Sequence, residues 1–323
     1  MDRHLHEDTP GQPDFAIVGE LNSDLILYGL PRELPEEREI LASGFSLTLG
    51  SSSAILAHNL ALLGSKVTFT AKIGGDILGD MCCEKLRAAD IDVSRVVRST
   101  NGSSTGITLI LPLVSTRRIL TYPGTMAELG IGDLDLNYLS EAKHFHVSSP
   151  FLQTKLFPDL HTLFKEMKRR GLTTSMDTND DPSDQWEGIV DRVLPYVDLL
   201  FCTEEELVKL AKIDNAEDFI TKRVSALIVK RGSRGASVYS EGKRIDRSAL
   251  KLEVVDSVGA GDTFNAGFLH QWIRNEPLER CLEYGNLTGG LSVTRPGGTE
   301  AFNDAAHRRS FFEQYWHPET QVR

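Results

Sequence analysis

Six short runs rich in β-branched and aromatic residues, at 15–19, 66–71, 144–147, 173–176, 199–202 and 227–230, are separated by stretches with helical periodicity. Strands that run parallel need a crossover of a dozen or more residues between them, usually a helix. The alternation therefore predicts a mostly parallel sheet with helices on both faces, a three-layer α/β/α sandwich. Two intervening segments carry explicit helix signals: 52–63 opens on Ser and stops at Gly64, and 155–170 is amphipathic and stops at Gly171. The alternation breaks twice. Segments 24–28 and 39–48, and segments 106–113 and 118–122, read as extended strands with no helix between them, the second pair divided by a turn at 114–117. They predict a small antiparallel β-sheet projecting from the main one as a lid. No repeat, proline-rich linker or low-complexity block divides the chain. A single domain is expected over 15–323, with lid segments at about 24–48 and 104–124, and the polar residues 1–14 are read as a flexible tail.

A chain of 323 residues buries enough surface to fold without disulfides or a structural metal. Its 35 basic and 46 acidic residues give a formal charge of −11. An acidic chain without a long basic cluster is a poor nucleic-acid binder, and any anionic ligand must be held by backbone amides, a metal ion or a few placed cations. Cys82, Cys83, Cys202 and Cys281 show no CxxC spacing, which argues against zinc ligation and a disulfide framework and for a reducing compartment. No apolar run approaches the length of a membrane span, and no signal-peptide core is present, so a cytoplasmic protein is expected. The histidines show no metal-binding spacing, and Trp186, Trp272 and Trp316 are scattered.

The most informative segment is Val254-Val255-Asp256-Ser257-Val258-Gly259-Ala260-Gly261-Asp262-Thr263-Phe264, read as a strand ending at Val255, a small-residue turn, and a helix to about Arg274. Small residues at a helix start let backbone N–H groups of Gly259, Ala260 and Gly261 converge on an anion. Asp262 has the wrong charge to bind phosphate but could accept a proton from an attacking hydroxyl. Read by itself, Asp262 could equally cap its helix. The segment lacks the third glycine of a dinucleotide fingerprint, and no GxxxxGK[ST] loop occurs.

Other segments join it in order along the chain: Gly19-Glu20-Leu21-Asn22-Ser23-Asp24, Gly50-Ser51-Ser52-Ser53, Ile73-Gly74-Gly75-Asp76 with Gly79, Lys230-Arg231-Gly232-Ser233-Arg234-Gly235, and Asn286 to Gly297. Together they resemble the ribokinase-like, PfkB-type carbohydrate kinases over nearly the whole chain. The resemblance implies a ribokinase-like α/β fold with a β lid, and transfer of the γ-phosphoryl group of ATP to a hydroxyl of a sugar or sugar derivative with Mg²⁺ on the phosphates. It makes Asp262 the catalytic base and Gly259, Ala260 and Gly261 the anion hole. Asn22, Asp24, Gly50, Ser51 and Ser52 become acceptor contacts, although the first two could also form an Asx turn and the serines an N-cap cluster. Lys230, Gly232, Ser233, Gly235 and Asn286 become the nucleotide site.

Thr203-Glu204-Glu205-Glu206 resembles the family's Asn-x-x-Glu, which links Glu206 to magnesium, although a glutamate run also suits a helix start. Asp177 and Asn179 resemble an Asp-x-Asn of fructokinase-like members near the phosphates. Asp256, Val258 and Gly297 match positions that hold a monovalent cation, K⁺, in ribokinases. Family members often pair through the lid, so a homodimer is expected. The sequence departs from ribokinases proper at Ser52 and Ile55, where those enzymes carry Lys and Asn, which puts ribose in doubt as the acceptor. A nucleoside kinase, with a base resting on Phe45, Tyr122 or Phe151, and a noncatalytic sugar- or nucleotide-binding regulator are the competing readings.

Overall fold

The computed structural model describes residues 11–113 and 116–317. Most of the expected tail, residues 1–10, lies outside them, as do Val114 and Ser115 of the expected lid turn. The strands in chain order are β1 (Phe15–Val18), β2 (Asn22–Tyr28), β3 (Gly44–Leu49), β4 (Val67–Thr70), β5 (Lys72–Ile73), β6 (Val97–Arg98), β7 (Gly106–Pro112), β8 (Arg117–Tyr122), β9 (His144–Ser148), β10 (Thr173–Asp177), β11 (Leu199–Thr203), β12 (Ala226–Lys230), β13 (Ala236–Ser240) and β14 (Lys243–Arg247). The helices are α1 (Ser52–Leu62), α2 (Ile77–Ala88), α3 (Leu136–Leu139), α4 (Leu160–Arg169), α5 (Glu204–Ala211), α6 (Ala216–Thr221), α7 (Ala260–Trp272), α8 (Leu278–Ser292), α9 (Glu300–Asn303) and α10 (Ala305–Tyr315).

Eight strands form the main sheet in the order β14-β13-β12-β11-β10-β9-β1-β4. The six strands read from the sequence are its parallel part, and β13 and β14 continue it antiparallel. One face packs Phe15, Ile17, Phe69 and Phe201 against residues of α1, α2, α7 and α8. The other packs Val18, Phe145, Val147 and Met176 against Leu160, Phe164 and Leu207 of α4 and α5. Burial on both faces is why these strands read as continuous apolar runs. Polar residues inside the sheet pair with one another: His144 bridges Thr173 and Ser175, and His146 bridges Ser175 and Ser148. Burial lowers the His146 pKa to about 3, so His146 is neutral.

A second sheet, β3-β2-β7-β8, stands off the body as the expected lid. It is mixed rather than antiparallel, because β2 and β7 both leave the body in the same direction and pair parallel, Asn22 beside Gly106 and Ile26 beside Ile110. Its β3 begins at Gly44, so the expected strand at 39–48 loses its first five residues.

Three further expectations are corrected. Asp14 is no part of a tail: its carboxylate accepts from the Lys66 amide at 2.9 Å and pairs with Lys143. Pro158 turns the start of the helix expected at 155–170 into a short 3₁₀ segment, and α4 proper begins at Leu160. Val254 and Val255 join no strand; they are 61% and 60% exposed, and Val254 borders a cavity.

Candidate active site

Open parallel sheets hold ligands beyond the carboxyl ends of their strands. Here those ends deliver Glu20 after β1, Asp177 from β10, Thr203 from β11 and Lys230 from β12, and the N-terminus of α7 faces them. Gly259 is the N-cap of α7, with φ 70° and ψ 5°. A Cβ there would lie 2.7 Å from the Gly298 backbone, so the left-handed turn and the close approach both require glycine. The first amides of a helix have no partner within it and sit at its positive end. The Ala260 amide is taken by the Ser257 carbonyl at 3.3 Å, which leaves Gly259 and Gly261 of the three expected donors. Asp262 is the third residue of α7, not its N-cap, and makes no capping bond. It is buried, bonded by Ser52, and burial raises its pKa to about 6 against the pull of Lys230.

Behind the α7 turn lies a cavity of about 670 Å³. Lys230, Gly232, Ser233, Gly235 and Asn286 all line it, together with Leu250, Leu252, Val254, Phe264 and the glycines 289 and 290 of α8. Its walls are mostly apolar, as suits a flat heterocycle, and its inner end is the Gly261 turn and Lys230. Asn286 donates its side-chain amide to the Arg247 carbonyl at 3.1 Å, which fixes its orientation at the rim.

On the opposite side of α7, the lid root carries Asn22 and Asp24. The Asn22 amide donates to Thr108 Oγ1 at 2.9 Å and reaches Asp24 at 3.5 Å. Gly50 packs against Asp24 so closely that a Cβ would fall 2.2 Å from its Oδ1. Asp24 is 6% exposed, and burial first, then Asp262 and Asp256, raise its pKa to about 7. Ser51 caps α1, and Ser52 reaches Asp262. Ile55 is 2% exposed, its side chain wedged beside the Gly259 and Gly298 backbones. Phe45 and Tyr122 pair with Leu27 and Ile107 on the face of the lid opposite Asp24, and Phe151 packs on Phe157 and Trp186.

A family model described as pfkB family carbohydrate kinase matches residues 12–305. The chain belongs to the pfkB family of carbohydrate kinases. It is 24% identical to a 5-dehydro-2-deoxygluconokinase of Geobacillus kaustophilus over 94% of each chain. A 2-dehydro-3-deoxygluconokinase of Bacillus subtilis is 28% identical over 83% of this chain and 88% of its own. An E. coli protein described as a ribokinase II, solved with ATP and Mg²⁺, superposes with a TM-score of 0.81 at 22% identity, covering 94% of this chain and 99% of its own. The chain is thus an ATP-dependent carbohydrate kinase of ribokinase fold, transferring the γ-phosphoryl group to a sugar hydroxyl.

Between the two sides of the kinase site runs a buried charge cluster. Lys230 Nζ lies 2.5 Å from Asp177 Oδ2, and Asn265 donates to the same oxygen. Burial would depress the Lys230 ammonium, but Asp177, Glu206 and Asp262 together hold it above its ordinary value. Glu206 is raised by burial and by Asp177, while Lys230 and the Thr203 amide oppose the shift. Its carboxylate closes a capping box with Thr203, so Glu206 serves the helix start, as a glutamate run there suggests, while also facing the buried cluster. The Asp256 carboxylate accepts from the amides of Val258 at 3.0 Å and Gly297 at 2.9 Å, which brings the three expected cation-site residues together. Sequence reasoning missed Glu20 and Asn265. Glu20 lies inside a quoted motif and Asn265 just after one, but only the fold shows Glu20 buried against α1 and Asn265 on Asp177.

Proposed function

We propose that Asp262 is the general base, that the α7 turn receives the transferring phosphoryl group, and that Asn22 and Asp24 hold the acceptor's hydroxyls. One arrangement carries the assignment: Gly50 packs on Asp24 and Ser52, two residues on, bonds Asp262, so a carboxylate suited to hydroxyl recognition and one suited to proton removal flank the same short loop. The adenine of ATP occupies the apolar cavity with Asn286 at its rim, and its phosphates run past Gly232, Ser233 and Gly235 toward Lys230 and the amides of Gly259 and Gly261. Those amides stabilise charge on the transferring group, as preorganised donors do, and Asp262 accepts the proton from the attacking hydroxyl. The lid excludes water, which would otherwise compete as acceptor.

Asp177, Glu206 and Asp262 all act on the ammonium of Lys230, and Asn265 Oδ1 is buried without a partner among the described residues. Among those residues no three acidic, histidine or cysteine side chains form a metal-holding group by themselves, so a divalent cation here would share its ligands with the ATP phosphates. Glu206 would hold Mg²⁺, which neutralises phosphate charge when bound. Asp256, Val258 and Gly297 would hold K⁺ beside the turn. Two chains would pair through the outer lid face, where Phe45, Leu120 and Tyr122 are exposed.

Ile55 offers no hydrogen bond where ribokinases carry Asn, which supports an acceptor other than ribose. The relatives' names direct the test to dehydro-deoxy sugar acids as well as ketoses, aldoses and nucleosides, assayed for ADP release. A sugar or sugar derivative should turn over, with little ATP hydrolysis in its absence. Turnover of nucleosides in preference to every sugar would replace this reading with the nucleoside kinase, and sugar binding without turnover would replace it with the regulator.

A further inference from the structure

Glu20 follows β1 and is 2% exposed, yet it makes no ion pair among the described residues. Its Oε2 accepts from Ser53 Oγ at 2.6 Å, its Oε1 from the Ser53 amide at 3.3 Å, and its main-chain carbonyl from Ser51 Oγ at 2.5 Å. Ser149 also hydrogen-bonds the carboxylate. Ser149 Oγ in turn accepts from Asn179 Nδ2 at 3.1 Å, and the Asn179 amide donates to Asp177 Oδ1 at 3.3 Å. Ser51, Ser149 and Asn179 have φ of 72°, 50° and 47°. Left-handed backbone in non-glycine residues costs energy and persists where the surroundings over-determine it. Here three such residues converge on one carboxyl group and the pair behind it. Between Ser51 and Ser53 lies Ser52, which bonds Asp262.

We propose that Glu20 is a positioning residue for the phosphoryl transfer: it clamps the 50–53 loop so that Ser52 and the acceptor meet Asp262 in register, and Ser149 and Asn179 tie that clamp to the Asp177–Lys230 pair. The proposal rests on the kinase reading of the site. Transfer is steep in distance, so a slack loop lowers kcat as well as acceptor affinity.

The test compares Glu20→Ala, Glu20→Gln, Ser53→Ala and Asp262→Asn with wild type on the best acceptor from the panel. Glu20→Ala should raise the acceptor KM and lower kcat by about tenfold or more each, with ATP KM within about twofold. Glu20→Gln can still bridge the Ser53 hydroxyl and amide, and should stay within about threefold of wild type. An unchanged acceptor KM in Glu20→Ala, or acceptor and ATP KM rising together, would overturn the proposal. Should Glu20→Ala not fold, Ser53→Ala decides: a rise of about three- to tenfold in acceptor KM only supports the clamp, and wild-type constants overturn it. Full activity in Asp262→Asn would instead sink the reading of the site, whatever Glu20 does; its loss beside a wild-type-like Glu20→Ala would sink only the clamp.

Discussion

The two sheets use apolar residues in opposite ways. Every residue of β1 and β4 in the main sheet is buried, whereas every residue of β8 in the lid is exposed. The lid turns Asp24, Ile26, Thr108 and Ile110 inward and leaves Phe45, Leu120 and Tyr122 outward at 72%, 54% and 53% exposure. It meets the body where Ile26 and Ile110 pack on Val258 and where Arg117 reaches Ser257 at 3.5 Å, both in the loop leading to the α7 turn. Under the proposed roles the main sheet would present the reacting groups at its strand ends, and the lid would meet the acceptor on its inner face and a second chain on its outer one. Changes in the body should act on kcat, and changes in the lid on acceptor KM.

The largest effect expected is on the body side. Asp262→Asn should lower kcat by roughly 10² to 10⁴, the range for a general base, with ATP affinity unchanged and a melting temperature no lower than wild type, since burial already raises the Asp262 pKa to about 6. Asp262 is not the N-cap, so no capping stability is at stake. Steady-state kinetics with calorimetric ATP titration would check it; an undiminished rate in a folded mutant would remove the base.

On the lid side, Asp24→Ala should raise the acceptor KM by about ten- to a hundredfold while leaving ATP KM alone. That corresponds to the ~1–3 kcal/mol of a hydrogen bond to a charged group. Equal changes in both constants would erase the division between lid and body.

This division also governs what the sequence could reveal. The parallel strands were readable because burial on both faces makes each a short apolar run, as in Leu227-Ile228-Val229. The lid was readable as strands without helices, but not its parallel β2–β7 pairing, which depends on two segments about eighty residues apart. The strand expected at Val254 and Val255 failed because Val254 serves a cavity wall and the Val255 amide bonds the Val293 carbonyl instead of a sheet neighbour. The expected acceptor, base and nucleotide residues fall around one α7 N-terminus. Glu20 was hidden because a glutamate after a strand looks solvated until the fold buries it.

Charge sets the next prediction. Burial, with Asp262 and Asp256 adding to it, raises Asp24 from 3.8 to about 7. Between those values the folded chain holds a proton that the unfolded chain has released, so stability from this group is greatest below pH 4 and falls as pH rises toward 7. Asp24→Asn removes the titration. The mutant should exceed wild type by up to about 4 kcal/mol in urea melts at pH 8, and by little at pH 4. The same gain at both pH values would show that Asp24 carries no such burden.

Smaller still is the effect of the outer lid face. Phe45→Asp with Leu120→Asp should turn a dimer into a monomer by light scattering and raise acceptor KM severalfold, because the lid loses its outer support. A wild type that is already monomeric at high concentration and fully active would leave that face without a partner.

The least effect is expected where lid and body touch. Asp256 gathers the amides of Val258 and Gly297, and Val258 is also the body residue on which Ile26 and Ile110 rest. A monovalent cation beside Asp256 would steady that loop and add positive potential near the phosphates, since a bound ion is a large local charge. K⁺ should therefore raise the rate over Na⁺ by a fewfold at matched ionic strength, and Asp256→Ala should remove the difference while lowering the basal rate. Because the loop serves both sheets, K⁺ should move kcat and acceptor KM together, unlike Asp262→Asn or Asp24→Ala. Identical rates in the two salts would mean that the amides of Val258 and Gly297 already satisfy Asp256, and that the contact between lid and body stands without an ion.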